Sequence, residues 1–88
     1  MTTVIGSRAA TMRYLRNGTP LPGYNVLKIP PAEYTWSGNV SWLAEAYRRG
    51  DTFLILPQRG PKSNAELKLL KYWDSVGKQP IRFFFGDK

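Results

Sequence analysis

NVLKIPPAEYTWSGNVSWLAEAYRRGDTFLIL, residues 25–56, is the stretch on which the reading of this chain turns. Asn25-Val26-Leu27-Lys28-Ile29 is β-prone, and Pro30-Pro31-Ala32-Glu33-Tyr34-Thr35-Trp36 reads as a loop. A helix is expected from about Ser37 to Arg49. Val40, Leu43, Ala44 and Tyr47 recur there at i, i+3, i+4 and i+7 and form one apolar face. Gly50-Asp51 then leads into Thr52-Phe53-Leu54-Ile55-Leu56, apolar nearly throughout, as a strand covered on both faces would be. Strand, helix and buried strand make a βαβ unit, whose strands run parallel. The aromatic loop falls at the carboxyl edge of such a sheet, where ligands bind in open α/β folds.

Reading outward, Thr2-Thr3-Val4-Ile5 is a short β-prone run ended by Gly6. Ser7 can cap a helix from Arg8 to about Leu15, with Asn17-Gly18 as its stop signal. Beyond the central unit, Ser63-Asn64-Ala65-Glu66 matches a capping box, with Glu66 at its third helical position. That helix runs through Leu67, Leu70, Trp73 and Val76 to Gly77. Lys78-Gln79-Pro80 leads into a last strand over residues 81–85, and residues 86–88 form a tail. The alternation predicts an α/β fold. It is a single small domain with a three- or four-stranded, largely parallel sheet and helices packed on it. The strands at 25–29 and 52–56 are expected at its centre. The last strand could run antiparallel on an edge.

Composition narrows the chemistry. The 88 residues suffice for one modest core. No apolar run reaches the roughly 20 residues of a membrane-spanning helix, so insertion by this domain is not expected. The N-terminus lacks a basic segment followed by an apolar one, which argues against a signal peptide. Cysteine and histidine are both absent, which removes thiol catalysis, the commonest general base and the commonest zinc ligand. No metal site is expected. Six carboxylates are left for acid–base work, and a net charge of +7 favours an anionic partner.

Four constellations could carry function. Val4-Ile5-Gly6-Ser7-Arg8 runs from a strand into a helix start, offering N–H groups, a hydroxyl and a guanidinium to a phosphate; alternatively Gly6 makes the turn and Ser7 the cap. Tyr34-Thr35-Trp36 with Asn39 and Trp42 could present aromatic rings for stacking on a base, or the tryptophans could pack in the core or staple the helix end. Glu66 serves either as a plain cap or as a ligand-facing carboxylate at the same edge. Glu33, in the aromatic loop, could also reach a ligand. The basic residues, Arg8, Lys62 and Lys68 among them, are scattered over helix ends and loops and form no single run.

The whole chain resembles the small C-terminal effector domains of bacterial polymorphic toxins, of the contact-dependent inhibition and Rhs types. The resembling residues are Val4-Ile5-Gly6-Ser7-Arg8 with Thr11, then Pro22-Gly23-Tyr24-Asn25-Val26-Leu27. Trp36, Asn39, Trp42, Arg49-Gly50-Asp51 and Ala65-Glu66-Leu67 with Leu70 complete them. This resemblance implies delivery into the cytoplasm of target bacteria as part of a larger secreted protein, and a cognate immunity protein. For a domain of charge +7 an acidic immunity protein is expected.

Gly6-Ser7-Arg8, the strand entrance at Gly23 and the later Glu-Leu helix with its closing strand are similar to the parallel subdomain of ADP-ribosyl cyclases. Those enzymes split the nicotinamide–ribose bond of NAD, with tryptophans at the base and a glutamate steadying the ribosyl cation. Their glutamate follows the Gly-led entrance, where this chain has Asn25, Val26 and Leu27. The helical subdomain and disulfides of the animal enzymes are also missing. The resemblance thus implies NAD as substrate, with no cofactor, and shifts the catalytic role to Glu66. Ser7, Arg8, Thr11, Trp36, Asn39 and Trp42 are the expected substrate-binding residues. A ribonuclease holding tRNA through its basic groups, and a non-catalytic module docking on nucleic acid or an acidic protein, are the alternatives.

Overall fold

The computed structural model describes residues 1–77 and 79–86; Lys78 and the last two residues of the expected tail, Asp87 and Lys88, lie outside the described residues. Among the described residues six strands and three α-helices follow one another as β1 (Thr2–Ile5), α1 (Arg8–Thr11), β2 (Leu15–Arg16), β3 (Thr19–Pro20), β4 (Tyr24–Asn25), α2 (Trp36–Arg49), β5 (Thr52–Ile55), α3 (Pro61–Val76) and β6 (Arg82–Phe85). The main sheet has the order β4-β1-β5-β6, and every pairing in it is parallel. The expected α/β sheet is therefore present, with a parallel edge strand at its end.

Its centre matches the expectation at β5 and differs beside it. The other inner strand is β1, pairing Thr2 and Thr3 with Tyr24 and Asn25 on one side and all four of its residues with β5 on the other. The strand expected over residues 25–29 pairs only at Tyr24 and Asn25, on the edge. Past Asn25 the chain leaves the ladder. Val26 is buried and Leu27 half-buried, and Pro30 and Pro31 have no N–H with which to continue the pairing. The apolar residues that look like a central strand wall a cavity instead.

Side-chain alternation sorts the core into two layers. On one face Ile5, Phe53 and Ile55 pack against Leu43 and Ala46 of α2 and Leu67 and Leu70 of α3. On the other, Val4 and Leu56 meet Ala10 and Val26, with Tyr14, Leu15 and Tyr24 around them. The second layer is thin, because α1 has one turn and continues as a 3₁₀ turn over Met12–Tyr14. The longer helix expected there stops early. Asn17 and Gly18 both take positive φ (52° and 75°) and make a hairpin turn between β2 and β3, where a helix stop was expected. With so little cover, Leu54 stays half-buried and Phe84 of β6 is 64% exposed.

The inward stripe of α2 is Asn39, Leu43 and Ala46. It is rotated from the expected face of Val40, Leu43, Ala44 and Tyr47, of which only Leu43 is fully buried. Thr35 caps the helix by accepting from the Gly38 N–H at 3.0 Å, so Trp36 is its first residue. At the other end Gly50 adopts φ 80° and closes it.

The amino ends of the strands are tied by a polar cluster. The Thr3 hydroxyl donates to Asp51 at 2.7 Å, and the Asn25 amide donates to Thr3 at 3.0 Å. Arg49 donates to both Asp51 oxygens, at 3.0 and 2.6 Å. Asp51 is buried while the Arg49 side chain is 42% exposed. Removing Asp51 takes the acceptor from the buried Thr3 hydroxyl, and removing Arg49 leaves the buried carboxylate without its cation. Asp51→Ala is expected to cost about 2–3 kcal/mol, and Arg49→Ala more than about 1 kcal/mol. Urea denaturation of the two variants checks this; a loss near zero in Arg49→Ala would contradict it.

Candidate functional site

At the carboxyl ends of β1 and β5 the connections depart in opposite senses: from β1 the chain goes to β4 on one side, and from β5 to β6 on the other. Parallel sheets open a crevice at such a switch. Here it is a cavity of about 310 Å³. Gly6, Ser7, Arg8 and Thr11 line it after β1, Val26 and Leu27 after β4, and Gly60, Pro61, Lys62 and Ser63 at the start of α3. Val4, Tyr34, Asn39, Trp42 and Glu66 complete the lining.

Two contacts hold the walls together. The Ser7 N–H donates to the Gln58 carbonyl at 2.8 Å, binding the turn after β1 to the loop after β5. Arg59 braces that loop by donating to the Leu56 carbonyl at 2.7 Å and to the Asn64 side chain at 2.9 Å. Gly6 lies against Leu56, whose Cδ1 would be 2.9 Å from a Cβ at that position. The turn into α1 can approach β5 this closely because position 6 has no side chain.

Glu66 forms the floor. α3 begins at Pro61 with Gly60 as its cap, and Ser63 provides the local side-chain bond, its Oγ accepting from the Gly60 N–H at 2.9 Å. Glu66 therefore lies two turns into the helix. It is not the capping-box residue that Ser63-Asn64-Ala65-Glu66 suggests, and it is 6% exposed. Asn39 Nδ2 donates to Glu66 Oε2 at 2.6 Å, and the Tyr34 hydroxyl donates to Asn39 Oδ1 at 2.7 Å. This chain fixes the amide. With Tyr34 donating to its oxygen, Asn39 must present its NH₂ to the carboxylate. The second oxygen of Glu66 accepts no hydrogen bond among the described residues. Burial, and next the Glu66 charge, raise the Tyr34 pKa, which keeps the phenol a donor.

Ser7, Arg8, Thr11, Asn39, Trp42 and Glu66 thus meet in one cavity. Trp36 is not in its lining; it is 43% exposed at the first position of α2. Trp42 is half-buried and touches both the core and the cavity, so the two readings of it coincide. Ser7 likewise serves as helix cap, accepting from the Ala10 N–H at 3.2 Å, while it lines the cavity. Glu33 is exposed and outside the lining. Sequence reasoning overlooked Lys62 and undervalued Tyr34. The Lys62 ammonium lies 3.9 Å from the centroid of the Tyr34 ring. Only the Pro61 start of α3, which places Lys62 on the cavity side, could have signalled this.

Burial pushes the Glu66 carboxyl up to about 7 from 4.5, the Asn39 hydrogen bond pulling the other way. In the folded state it keeps a proton that the unfolded chain releases near pH 4.5. Its favourable contribution to stability is complete below that pH and is lost as pH rises through about 7. Glu66→Gln removes this penalty and retains an acceptor for Asn39. The variant is expected to exceed the parent in stability at pH 8 by up to about 3 kcal/mol, the two converging toward pH 4.5. Urea titrations at pH 5 and pH 8 measure the difference, and a variant less stable at pH 8 would contradict it.

No protein-family model matches the chain, and neither a curated protein nor a solved structure shows significant similarity to it.

Proposed function

We propose that this protein cleaves the nicotinamide–ribose bond of NAD, with Glu66 stabilising the ribosyl cation. The observation that carries the proposal is the cavity's single carboxylate. Among the described residues Glu66 alone supplies one, and the chain has no histidine. Hydrolysis of ordinary glycosides uses two carboxyl groups, one to protonate the leaving group and one to act on the opposite face. A pyridinium leaving group needs no such acid. When the C1′–N bond breaks, its electron pair stays on nitrogen and neutral nicotinamide departs. The positive charge moves to C1′ and the ring oxygen.

The free oxygen of Glu66 is suited to that charge. The other oxygen is held by Asn39, which Tyr34 fixes in turn, and the residue is 6% exposed, a setting in which a fixed charge acts strongly. Trp42 offers an aromatic wall to the base. Water adds to C1′, and its proton passes to Glu66 or to solvent, giving ADP-ribose, nicotinamide and H⁺. A carboxyl with pKa about 7 can accept that proton and release it again near neutrality. The resemblance to polymorphic-toxin effector domains supplies a setting for this reaction, depletion of NAD in a target bacterium, with an acidic immunity protein covering the cavity.

Glu66→Gln is expected to lower NAD turnover by about 10²–10³-fold, comparable to deleting one preorganised electrostatic contact. Trp42→Ala is expected to weaken binding more than Trp36→Ala, because only the first lines the cavity. Since the ionised form of Glu66 is the active one, kcat/KM should rise with pH to a midpoint near 7. Nicotinamide release is the assay, with folding of each variant checked by circular dichroism. A folded Glu66→Gln protein as active as the parent removes Glu66 from the mechanism. Intact NAD alongside cleaved tRNA would favour the ribonuclease instead.

A further inference from the structure

Three side chains from separate parts of the chain form a hydrogen-bonded line across the cavity. Tyr34 belongs to the loop before α2, Asn39 to α2 and Glu66 to α3. The Tyr34 hydroxyl donates to Asn39 Oδ1 at 2.7 Å, and Asn39 Nδ2 donates to Glu66 Oε2 at 2.6 Å. The two ends of an amide have nearly the same shape and opposite hydrogen-bonding character. Presenting Nδ2, Asn39 favours an ionised Glu66. Presenting Oδ1, it would repel the anion and accept a hydrogen bond from the protonated acid. Among the described residues, Tyr34 is the one group besides Glu66 that bonds to this side-chain amide. The loop that carries Tyr34 is itself secured. The Arg8 guanidinium donates to the Ile29 carbonyl at 3.1 Å, Thr35 caps α2, and the Lys62 ammonium lies 3.9 Å from the centroid of the Tyr34 ring.

We propose that Tyr34 is a positioning residue: by occupying Oδ1 of Asn39 it commits the amide to donate to Glu66, and so holds the carboxylate in its charged form. The part Tyr34 plays in turnover rests on the glycosidic-cleavage reading; its hold on Glu66 does not. Tyr34 acts through Asn39, since its hydroxyl donates to the amide and makes no hydrogen bond to Glu66. The other titratable groups of the lining are Arg8 at the start of α1 and Lys62 at the start of α3. β1 and the segment after β4 contribute Val4, Val26 and Leu27, which carry no charge. Burial drives Glu66 toward the neutral acid, and the Asn39 bond opposes it. Tyr34→Phe removes a hydroxyl and keeps the ring, so the loop retains its packing. Both orientations of the amide are then open and the neutral acid gains a partner. Glu66 should therefore release its proton at higher pH.

Carbon-13 NMR of the side-chain carboxyls in the full chain tests this without reference to any substrate. The chain has three glutamates, Glu33, Glu45 and Glu66, and the signal lost in Glu66→Gln assigns the last. In Tyr34→Phe the Glu66 titration should move up by about one pH unit. In an Asn39→Ala background the same substitution should move it no further. An unmoved titration in folded Tyr34→Phe protein overturns the proposal, because a purely structural tyrosine would change stability and leave the titration in place. An equal shift with and without Asn39 also overturns it, since Tyr34 would then act on Glu66 directly. The kinetic counterpart is nicotinamide release from NAD. The midpoint of its kcat/KM profile should rise with the titration while the plateau at high pH is retained. A kinetic midpoint that stays in place while the titration moves overturns the part of Tyr34 in turnover. If the titration moves and the parent releases no nicotinamide, the positioning of Glu66 stands and the cleavage reading falls.

Discussion

The hydrogen bond from Asn39 to Glu66, 2.6 Å long and out of water, joins α2 to α3 over the carboxyl ends of the strands. A carboxylate buried among Val4, Val26 and Trp42 would be costly without a partner. The fold provides one on the inward stripe of α2. Asn39 occupies that stripe one turn before Leu43, where an apolar residue would otherwise complete the helix–sheet packing. The helix is thus turned by a polar requirement, and Val40 and Ala44 move toward its flanks. Tyr34 fixes the far end of the amide, which makes the loop before α2 part of the same arrangement.

That arrangement depends on the sheet beneath it. β1 runs between β4 and β5, and its turn at Gly6 must lie against Leu56 for Ser7 to meet Gln58. The early departure of the chain after Asn25 opens one wall, and the Pro61 start of α3 brings Lys62 to the other. At the opposite end of the sheet Thr3, Asn25, Arg49 and Asp51 satisfy one another and lock the strands. Stability and chemistry are separated along the strand direction. The two buried acids differ accordingly, Asp51 fully partnered and Glu66 with one oxygen left open.

Burying Glu66 carries a stability penalty at neutral pH, because among the described residues it has a single neutral donor, Asn39. For the proposed nucleotide substrate, the net charge of +7 would favour approach of the anion to the basic domain.

Sequence patterning by itself determined the α/β class, the alternation of strands with helices, and the placing of a ligand edge at Ser7, Arg8 and the aromatic loop. These follow from local periodicity and from turn residues acting over a few positions. It also brought Asn39, Trp42 and Glu66 forward as chemical candidates. What it could not decide are matters of long-range competition. Asn17-Gly18 can end a helix or turn a hairpin, and only the packing of Tyr14 on Tyr24, with ring centroids 5.0 Å apart, selects the hairpin. Residues 25–29 have the composition of a central strand, yet β1 takes that place beside β5, because the chain leaves the ladder after Asn25 and Pro30 and Pro31 cannot continue it. The capping-box pattern at Ser63 is locally sound, but Gly60-Pro61 starts the helix one turn earlier and so carries Glu66 inward. The Asn39–Glu66 bond spans 27 residues. No local signal specifies it; tertiary packing does, because a buried carboxylate must find its donor wherever the fold brings one within reach.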